Sequence, residues 1–281
     1  MRVLSHERGN PDTEVSRNLN CSGPSPYSTY VTGGVVSEAS PSVTHAVRWS
    51  SGSWGTPADL GALSNPSSTP SLGYAVNSAG QVVGISKGGD GHPGIYRAFR
   101  AASGASISSA SELSSFIDSQ LDLNLNSIDV STFESSAAAI NTGGAAVGWS
   151  DAAVLTWWDG SVARGEKQHR AHYWGTDGVP FDLGVLPGAD WSEATAINDP
   201  RSPLPAMVVG WSGSSTDATA RVGFISGGAG TTMVSLQDQH LFYGSAGWHL
   251  TKAVDINNEG YVVGNGTFEG TQTSWLLVPL Q

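Results

Sequence analysis

The sequence contains very little cysteine and little positive charge. Cys21 is alone among 281 residues, so the chain has neither a disulfide framework nor a cluster of thiolate ligands for a metal. Lysine and arginine number 13 against 24 acidic residues, which gives a net charge of −11, and no basic run is present to neutralise phosphates. We therefore expect no binding to nucleic acid or to an anionic membrane surface.

Long apolar segments are missing as well. No stretch reaches the length of a membrane span, and the opening MRVLSHERGN lacks the apolar core of a secretory signal, so an export signal is expected to have been removed or never to have been present. Charged residues make up only 13% of the chain, whereas Gly (36 residues), Ser and Thr are abundant. This composition favours short strands joined by tight turns over helices. We expect a soluble, acidic, monomeric β protein.

One sequence frame recurs through most of the chain. Four copies are clear: YAVNSAGQVVGIS (74–86), AAINTGGAAVGWS (138–150), TAINDPRSPLPAMVVGWS (195–212) and VDINNEGYVVGNG (254–266). In each copy a strand of small residues ends in Asn, a turn follows, and a Val-rich strand reaches a Gly. Asn tolerates the left-handed conformation and caps turns with its side chain, which explains its place at the bend. STYVTGGVVS (28–37) is a shortened fifth copy.

A second strand-like element follows every copy. Its small second residues, Ala46, Ala98, Ala171, Gly223 and Ser274, are separated by 52, 73, 52 and 51 positions. DLGAL (59–63) and DLGVL (182–186) indicate a further strand. Four antiparallel strands in about fifty residues, repeated radially, are typical of a β-propeller. We predict an all-β, five-bladed β-propeller forming a single domain over 1–281, with blades near 27–63, 71–116, 134–186, 191–237 and 250–278.

The last repeat ends in SWLLVPLQ without a fourth strand. An open ring would leave a strand edge that invites aggregation. The segment EVSRNLN (14–20) lies where a fourth strand would precede the first blade. We therefore predict that it pairs as the outer strand of the fifth blade and closes the ring.

These motifs resemble the HAF-repeat family of bacterial extracellular proteins. The resemblance rests on HAVRW (45–49), DLGAL (59–63), AINTGG (139–144) and the ending GWHLTKAVDINNEGYVVGNG (247–266) with SWLLVP (274–279). It covers the chain from about residue 28 to the end and is weakest over 87–130. The resemblance implies a repeat β fold and an extracellular or periplasmic location, and it implies no particular activity.

Acidic residues and tryptophans concentrate on one face of the predicted propeller, formed by the links between blades and by the loops between second and third strands. The residues expected to contact a small-molecule or glycan ligand there are Trp191, Trp248, Trp149, Trp211, Trp157, Trp158, Asp90 and His92. The same face includes Asp151, Asp159, Glu166, His169, Asp217 and Glu269. The opposite face carries the Asn turns and is expected to be structural. Trp49, Trp174 and Trp275 occupy regular strand positions and are expected to pack between blades.

Carboxylates on an aromatic-lined face suggest glycoside hydrolysis, in which one acid protonates the leaving oxygen and another attacks or activates water. The candidate acids are Glu134, Asp190 and Glu193, the last standing where other repeats place Leu72, Ser136 and Lys252. His249 is a candidate general base or a hydrogen-bond partner for a ligand hydroxyl. The alternatives are that these acids cap turns or are solvated, and that the protein is a non-catalytic propeller that binds a glycan or a protein. Because the links differ from blade to blade, we expect one site rather than several equivalent sites.

Two segments interrupt the regular frame. Residues 150–169 are predicted to be a long loop, and SASELSSFIDSQL (109–121) a short helix with Leu113, Phe116, Ile117 and Leu121 on one stripe. Long insertions in a regular array usually carry function, and the alternative is that they cover an exposed edge. No spacing of His and carboxylates resembles a zinc site, and Asp90 alone is too few ligands for calcium. No metal and no cofactor are therefore expected.

Overall fold

The computed structural model describes residues 15–16, 30–36, 43–50, 56–64, 69–88, 94–113, 133–158, 163–237 and 246–279, with the backbone alone at 15–16, 35–36, 110, 153–158 and 163–166. These residues form five antiparallel sheets and no α-helix, so they include no helix long and apolar enough to cross a membrane. The predicted all-β architecture of five antiparallel sheets is confirmed.

Each sheet is a meander in which the strands follow one another in chain order. The first sheet consists of β1 (Val15–Ser16), β2 (Val31–Val36), β3 (Thr44–Trp49) and β4 (Ala58–Asp59). The second consists of β5 (Ser71–Val76), β6 (Val82–Lys87) and β7 (Tyr96–Ala101). The third consists of β8 (Ser135–Ile140), β9 (Ala146–Trp158), β10 (Ala163–Trp174) and β11 (Pro180–Gly184). The fourth consists of β12 (Trp191–Ile197), β13 (Val208–Gly213), β14 (Val222–Ser226) and β15 (Val234–Ser235), and the fifth of β16 (Trp248–Ile256), β17 (Val262–Phe268) and β18 (Thr271–Leu277).

Four of the five sheets share the same irregularity, a shift of register between the first and second strands. The register of the first strand shifts after Gly73, Ala137, Ala194 and Ala253. Beside this bulge the two backbones approach closely: a Cβ added to Gly148 would lie 2.0 Å from the carbonyl oxygen of Ser136. A Cβ at Gly210 would lie 2.0 Å from the oxygen of Glu193. The Gly of the repeated VGW motif is therefore required by close backbone contact.

Each repeated asparagine closes the turn that follows it. The side-chain oxygen of Asn141 accepts a hydrogen bond from the N–H of Ala145 at 2.9 Å, and that of Asn198 accepts one from the N–H of Met207 at 2.7 Å. The predicted capping role of the Asn side chain is confirmed, but no described asparagine adopts the left-handed conformation, which the turn glycines Gly80, Gly144 and Gly260 adopt instead. The same pair of bonds closes a short turn and the longer insertion 199–206, because the Asn198 N–H also reaches the Met207 carbonyl. The frame therefore tolerates insertions between its two strands.

The asparagines also join neighbouring sheets. Nδ2 of Asn77 donates to the carbonyl oxygen of Asn141 at 3.0 Å, Nδ2 of Asn141 to that of Asn198 at 3.2 Å, and Nδ2 of Asn198 to that of Asn257 at 3.1 Å. Near the opposite end, a buried serine at the start of β5, β8 and β12 bonds the preceding sheet. Each serine hydroxyl accepts a hydrogen bond from a main-chain N–H of that sheet: Ser71 from Ala46, Ser135 from Ala98 and Ser192 from Ala171. The five sheets are thus held side by side in chain order.

The hydrophobic core is divided among the contacts between successive sheets. Phe99 and Leu60 pack between the first and second sheets, Trp174 between the second and third, Phe224 between the third and fourth, and Trp275 between the fourth and fifth. Trp174 is fully buried and Trp275 is 6% exposed, so both pack between sheets as predicted, and Trp49 is 7% exposed.

The N-terminal strand lies in a different sheet from the one predicted. Val15 pairs with Gly33 and Ser16 with Thr32, so β1 is the first strand of the first sheet and not the outer strand of the fifth. Without it, the edge of β2 that faces away from β3 would be unpaired, at the position that the first strand fills in the other sheets. The other residues of the predicted closing segment, 14 and 17–20, lie outside the described residues.

The segment 150–169 is a hairpin extension and not a loop. β9 and β10 continue to pair from Asp151 opposite His169 as far as Trp158 opposite Ala163. Continued pairing satisfies backbone N–H and C=O groups that an irregular loop would leave to water. Residues 159–162, which include the predicted face residue Asp159, lie outside the described residues.

The helix predicted over 109–121 is wrong in its described part. A single 3₁₀ turn spans Ser109–Ser111, after which Glu112 is extended and bridges to Phe99 in β7. Leu113 is buried between the second and third sheets, and its N–H donates to the Ala98 carbonyl at 2.9 Å. This segment therefore pairs along the edge of β7, and the pairing places the Leu113 side chain between the two sheets. Phe116, Ile117 and Leu121 lie outside the described residues.

Candidate functional site

The candidate site lies where the third and fourth sheets meet, at the strand ends opposite the asparagine turns. Five residues form it, and we call them the Trp–His–Glu cluster: Trp149, His169, Trp191, Glu193 and Trp211. They come from four strands, β9, β10, β12 and β13, which pack against one another at this interface.

A stack of three rings is the centre of the cluster. The ring of His169 lies 4.0 Å from that of Trp149, with 29° between the planes, and 4.4 Å from that of Trp191, at 32°. Strand register explains the first contact. Trp149 pairs with Ala171, whose small side chain leaves room for the indole to lean onto His169, its diagonal neighbour on the same face. The imidazole is therefore held between two indoles and is only 9% exposed, whereas both indoles are half-buried.

Glu193 joins the stack to a third tryptophan. Its Oε1 lies 3.1 Å from Nε2 of His169, and its Oε2 accepts a hydrogen bond from Nε1 of Trp211 at 3.1 Å. The Glu193 side chain is 29% exposed, whereas Trp211 is buried. A carboxylate offers about four acceptor positions, so Glu193 keeps capacity for donors arriving from solvent.

Asp151 lies on the other side of the imidazole and is occupied by the protein. Its Oδ2 contacts Nζ of Lys167 at 2.6 Å and accepts the Glu134 N–H at 2.8 Å, while its Oδ1 is 3.8 Å from Nδ1 of His169. The side chain is 6% exposed. Asp151 therefore orients the site and is not open to a ligand.

The pKa of Glu193 is lower than that of an ordinary glutamic acid. Burial raises this pKa, but the hydrogen bond and charge of His169, the Trp211 N–H and the charge of Lys252 together outweigh burial. Glu193 is therefore an anion at neutral pH. In this form it accepts hydrogen bonds and does not deliver a proton.

The other predicted catalytic residues have contacts that do not involve Glu193. The carboxylate of Asp190 caps a turn, accepting the Ser215 N–H at 3.1 Å. Glu134 reaches the site through its backbone, whose N–H and C=O both bond Asp151. Nε2 of His249 lies 3.1 Å from the carbonyl oxygen of Thr219.

Of the aromatic residues predicted to contact a ligand, some belong to the cluster and others do not. Trp149, Trp191 and Trp211 belong to the cluster. Trp248 lies at the start of β16, where its ring packs 5.0 Å from that of Phe268. The side chains of Trp157, Trp158 and Glu166, and the whole of Asp90 and His92, lie outside the described part of the chain.

The choice of site residues made from the sequence missed two residues: one member of the cluster, and one residue that contacts it. Asp151 and His169 were assigned to the acidic face but not to the site, because nothing in their spacing along the chain links them to Glu193. The signal that connects them is register: Asp151 pairs with His169, and Glu193 pairs with Trp211. Only the pairing of β9 with β10 and the packing of two sheets bring these groups together.

The cluster combines aromatic surface with hydrogen-bond acceptors, an arrangement that can bind a ligand. Among the described residues, no group of three or more His, Cys, Asp or Glu side chains could hold a metal ion. Nε1 of Trp191 is buried and has no hydrogen-bond partner in that same part of the chain. Comparison of the chain with models of known protein families and with curated proteins gives no match. The function therefore has to come from the geometry of the site.

Proposed function

We propose that the protein is a five-bladed β-propeller that binds a glycan at the Trp–His–Glu cluster. The propeller is supported by the order of the sheets, since each packs on the next and the first strands β5, β8, β12 and β16 are successive neighbours. First strands arranged around a common axis are the property that defines a propeller. The asparagine bonds between sheets are then the contacts between neighbouring blades.

The observation that carries the glycan-binding proposal is one accessible carboxylate beside a stack of half-buried indoles. Sugar rings present C–H faces that pack on indole, and hydroxyls that donate to carboxylate oxygens. Glu193 is fixed from both sides by His169 and Trp211, so a hydroxyl meets an acceptor that is already oriented. Fixed groups reduce the entropy lost on binding.

Binding is favoured over hydrolysis because two candidates for the second carboxylate, Asp151 and Asp190, are held by other groups of the protein. A glycosidase needs two carboxyl groups on either side of the scissile bond, about 5 to 10 Å apart, one of them able to give a proton. Here Asp151 is buried, paired with Lys167 and separated from Glu193 by the imidazole. Asp190 caps its turn.

One observation supports the hydrolase as a second proposal. His169 lies between Asp151 and Glu193, and an imidazole beside carboxylates is an arrangement that can take up and release a proton. In that case His169 would be the general base and Glu193 the group that orients it. An extracellular or periplasmic location, implied by the resemblance to HAF-repeat proteins, fits either proposal.

A binding and turnover assay separates the two. The full chain is titrated with a panel of neutral and acidic oligosaccharides, and each mixture is analysed for cleavage products. We expect binding without cleavage. Trp191→Ala should weaken binding by about 1–3 kcal/mol, by analogy with bases stacked on aromatic side chains, and Glu193→Gln should weaken it too.

The matched control for Glu193→Gln is Glu259→Gln, an exposed glutamate in the turn at the opposite end of the sheets. It should bind like the wild-type protein. Glycan cleavage that Glu193→Gln and His169→Gln both abolish would establish the hydrolase instead. Absence of binding to every glycan in the panel would overturn the proposed function.

A further inference from the structure

We infer that the glycan bound at this cluster carries a carboxylate and that Arg221 binds it; the inference rests on the proposed glycan-binding function. Arg221 occupies in the fourth sheet the place that His169 occupies in the third. Each stands two residues before the small residue, Gly223 or Ala171, that pairs with a tryptophan. The guanidinium carbon of Arg221 lies 4.0 Å from the ring centroid of Trp211, as the His169 ring lies 4.0 Å from that of Trp149.

Arg221 differs from other arginines of the protein in what its guanidinium contacts. Arg48, Arg97 and Arg100 each donate to main-chain carbonyl oxygens, and Arg170 donates to Gln168. Within the ranges that the structure describes, the Arg221 side chain has no hydrogen-bond or ion-pair partner, and its Nε is buried. The two Nη groups are not buried in this way, so they remain as donors for an acceptor that arrives from solvent.

The stacking of Arg221 determines which part of it a ligand can reach. The guanidinium carbon lies over the Trp211 ring, so the indole covers one side of the group, and the edge formed by the two Nη groups remains for a ligand. That edge is a planar fork of donors that matches a carboxylate in a two-point contact. A sugar hydroxyl offers a single acceptor atom and uses the fork less fully.

The position of Arg221 also fits a ligand held at Glu193. Trp211 lies between the two, stacked on Arg221 and bonded to Glu193 through Nε1, so one indole separates the cation from the anion. Lys252, half-buried, is close enough for its positive charge to act on Glu193. A sugar acid can therefore direct its hydroxyls to Glu193 and its carboxylate to Arg221. The net charge of −11 opposes a long polyanion, so we assign a short acidic oligosaccharide.

The test compares each acidic oligosaccharide with its own methyl ester, which has the same ring and hydroxyls but no charge. The probes are short oligogalacturonates, oligoglucuronates and oligomannuronates, with a sulfated neutral oligosaccharide as a further arm, titrated by calorimetry against the full chain. We expect at least one acid to bind ten-fold or more tightly than its ester, with a preference that falls as salt is raised. Arg221→Gln should make the two affinities equal. Arg221→Lys, which keeps the charge without the fork, should retain part of the preference.

Arg201→Gln is the matched control, because Arg201 is exposed and lies outside the cluster; it should keep the full preference. The thermal midpoint of each variant verifies folding. Equal binding of acids and esters by the wild-type protein, or a preference that survives Arg221→Gln, would overturn the inference while leaving glycan binding intact. A stronger preference for the sulfated probe would assign a sulfate ester to Arg221 and overturn the carboxylate. No binding to any probe, ester or acid, would overturn the proposed function with it.

Discussion

The two ends of the sheets differ in what they repeat. At the turn end, Asn77, Asn141, Asn198 and Asn257 make the same side-chain bond within their own turn, and the first three bond the next asparagine along. At the opposite end, the four positions equivalent in register are Leu72, Ser136, Glu193 and Lys252, which share no chemistry. Repetition therefore marks the contacts that assemble the sheets, and divergence marks the end where we propose a single site.

The physical reason is that every sheet must solve the same assembly problem. An asparagine offers an acceptor for its own turn and a donor for the neighbouring sheet, and both bonds are lost if it is replaced. A ligand site imposes no such requirement on all sheets. The cluster needs its indoles, imidazole and carboxylate at one interface only.

The largest expected effect concerns the frame itself. Gly148→Ala should lower the free energy of unfolding by about 3 kcal/mol, because its Cβ would overlap the Ser136 carbonyl and the backbones cannot separate without breaking the pairing of β8 with β9. Urea denaturation measures the loss. Gly94→Ala is the control, since a Cβ there meets no atom within 4 Å. Equal stability of the two variants would show that the frame does not need its glycines.

The second prediction compares two asparagines of the same frame position. Asn141 is 3% exposed, and its side chain bonds both the Ala145 N–H and the Asn198 carbonyl. Asn141→Ala should lower the free energy of unfolding by about 2 kcal/mol, since it leaves buried groups unpaired. Asn257→Ala should lower it by less than about 1 kcal/mol, because that asparagine is exposed and water replaces the lost bonds. Equal losses would mean that burial of the asparagine bonds does not matter.

The turn end could be predicted from the sequence because its chemistry is local. Asn141 and Ala145 are four residues apart, and the side-chain bond between them follows from the turn. The intervals of 52, 52 and 51 residues then indicate repeated sheets. Strand β1 has only two residues, too few for a pattern, and its pairing with β2 depends on an edge that the sequence does not display.

The site end could be predicted only in part, because its contacts are between sheets. Tryptophans and acids at strand ends indicated the end where the Trp–His–Glu cluster lies, and Glu193 was among the residues chosen there because its position differs in chemistry from repeat to repeat. The contact of Glu193 with His169 spans 24 residues and two sheets, so no spacing rule reveals it. Asp190, three residues from Glu193, instead caps a turn with Ser215.

A smaller effect is expected from pH. The folded state lowers the pKa of Glu193 below its ordinary value of 4.5, so the unfolded chain binds the proton more readily. The stability that Glu193 contributes is therefore complete above that ordinary value and is lost as the pH falls through the lowered folded pKa. The stability difference between wild type and Glu193→Gln should shrink between about pH 6 and pH 3. Glu259→Gln, at an exposed site, supplies the reference profile; a difference that grows on acidification would contradict the lowered pKa.

The most direct test of the central claim is to observe the tryptophans while a glycan binds. In protein labelled with ¹⁵N at its ten indoles, each resonance is assigned by Trp→Phe substitution and followed during titration with the tightest oligosaccharide of the panel. We predict shifts at the indoles of Trp149, Trp191 and Trp211, and none at Trp174 or Trp275, which are buried between sheets. Saturable binding that leaves the three cluster indoles unmoved, or that shifts Trp174 and Trp275 instead, would contradict the assignment of the site.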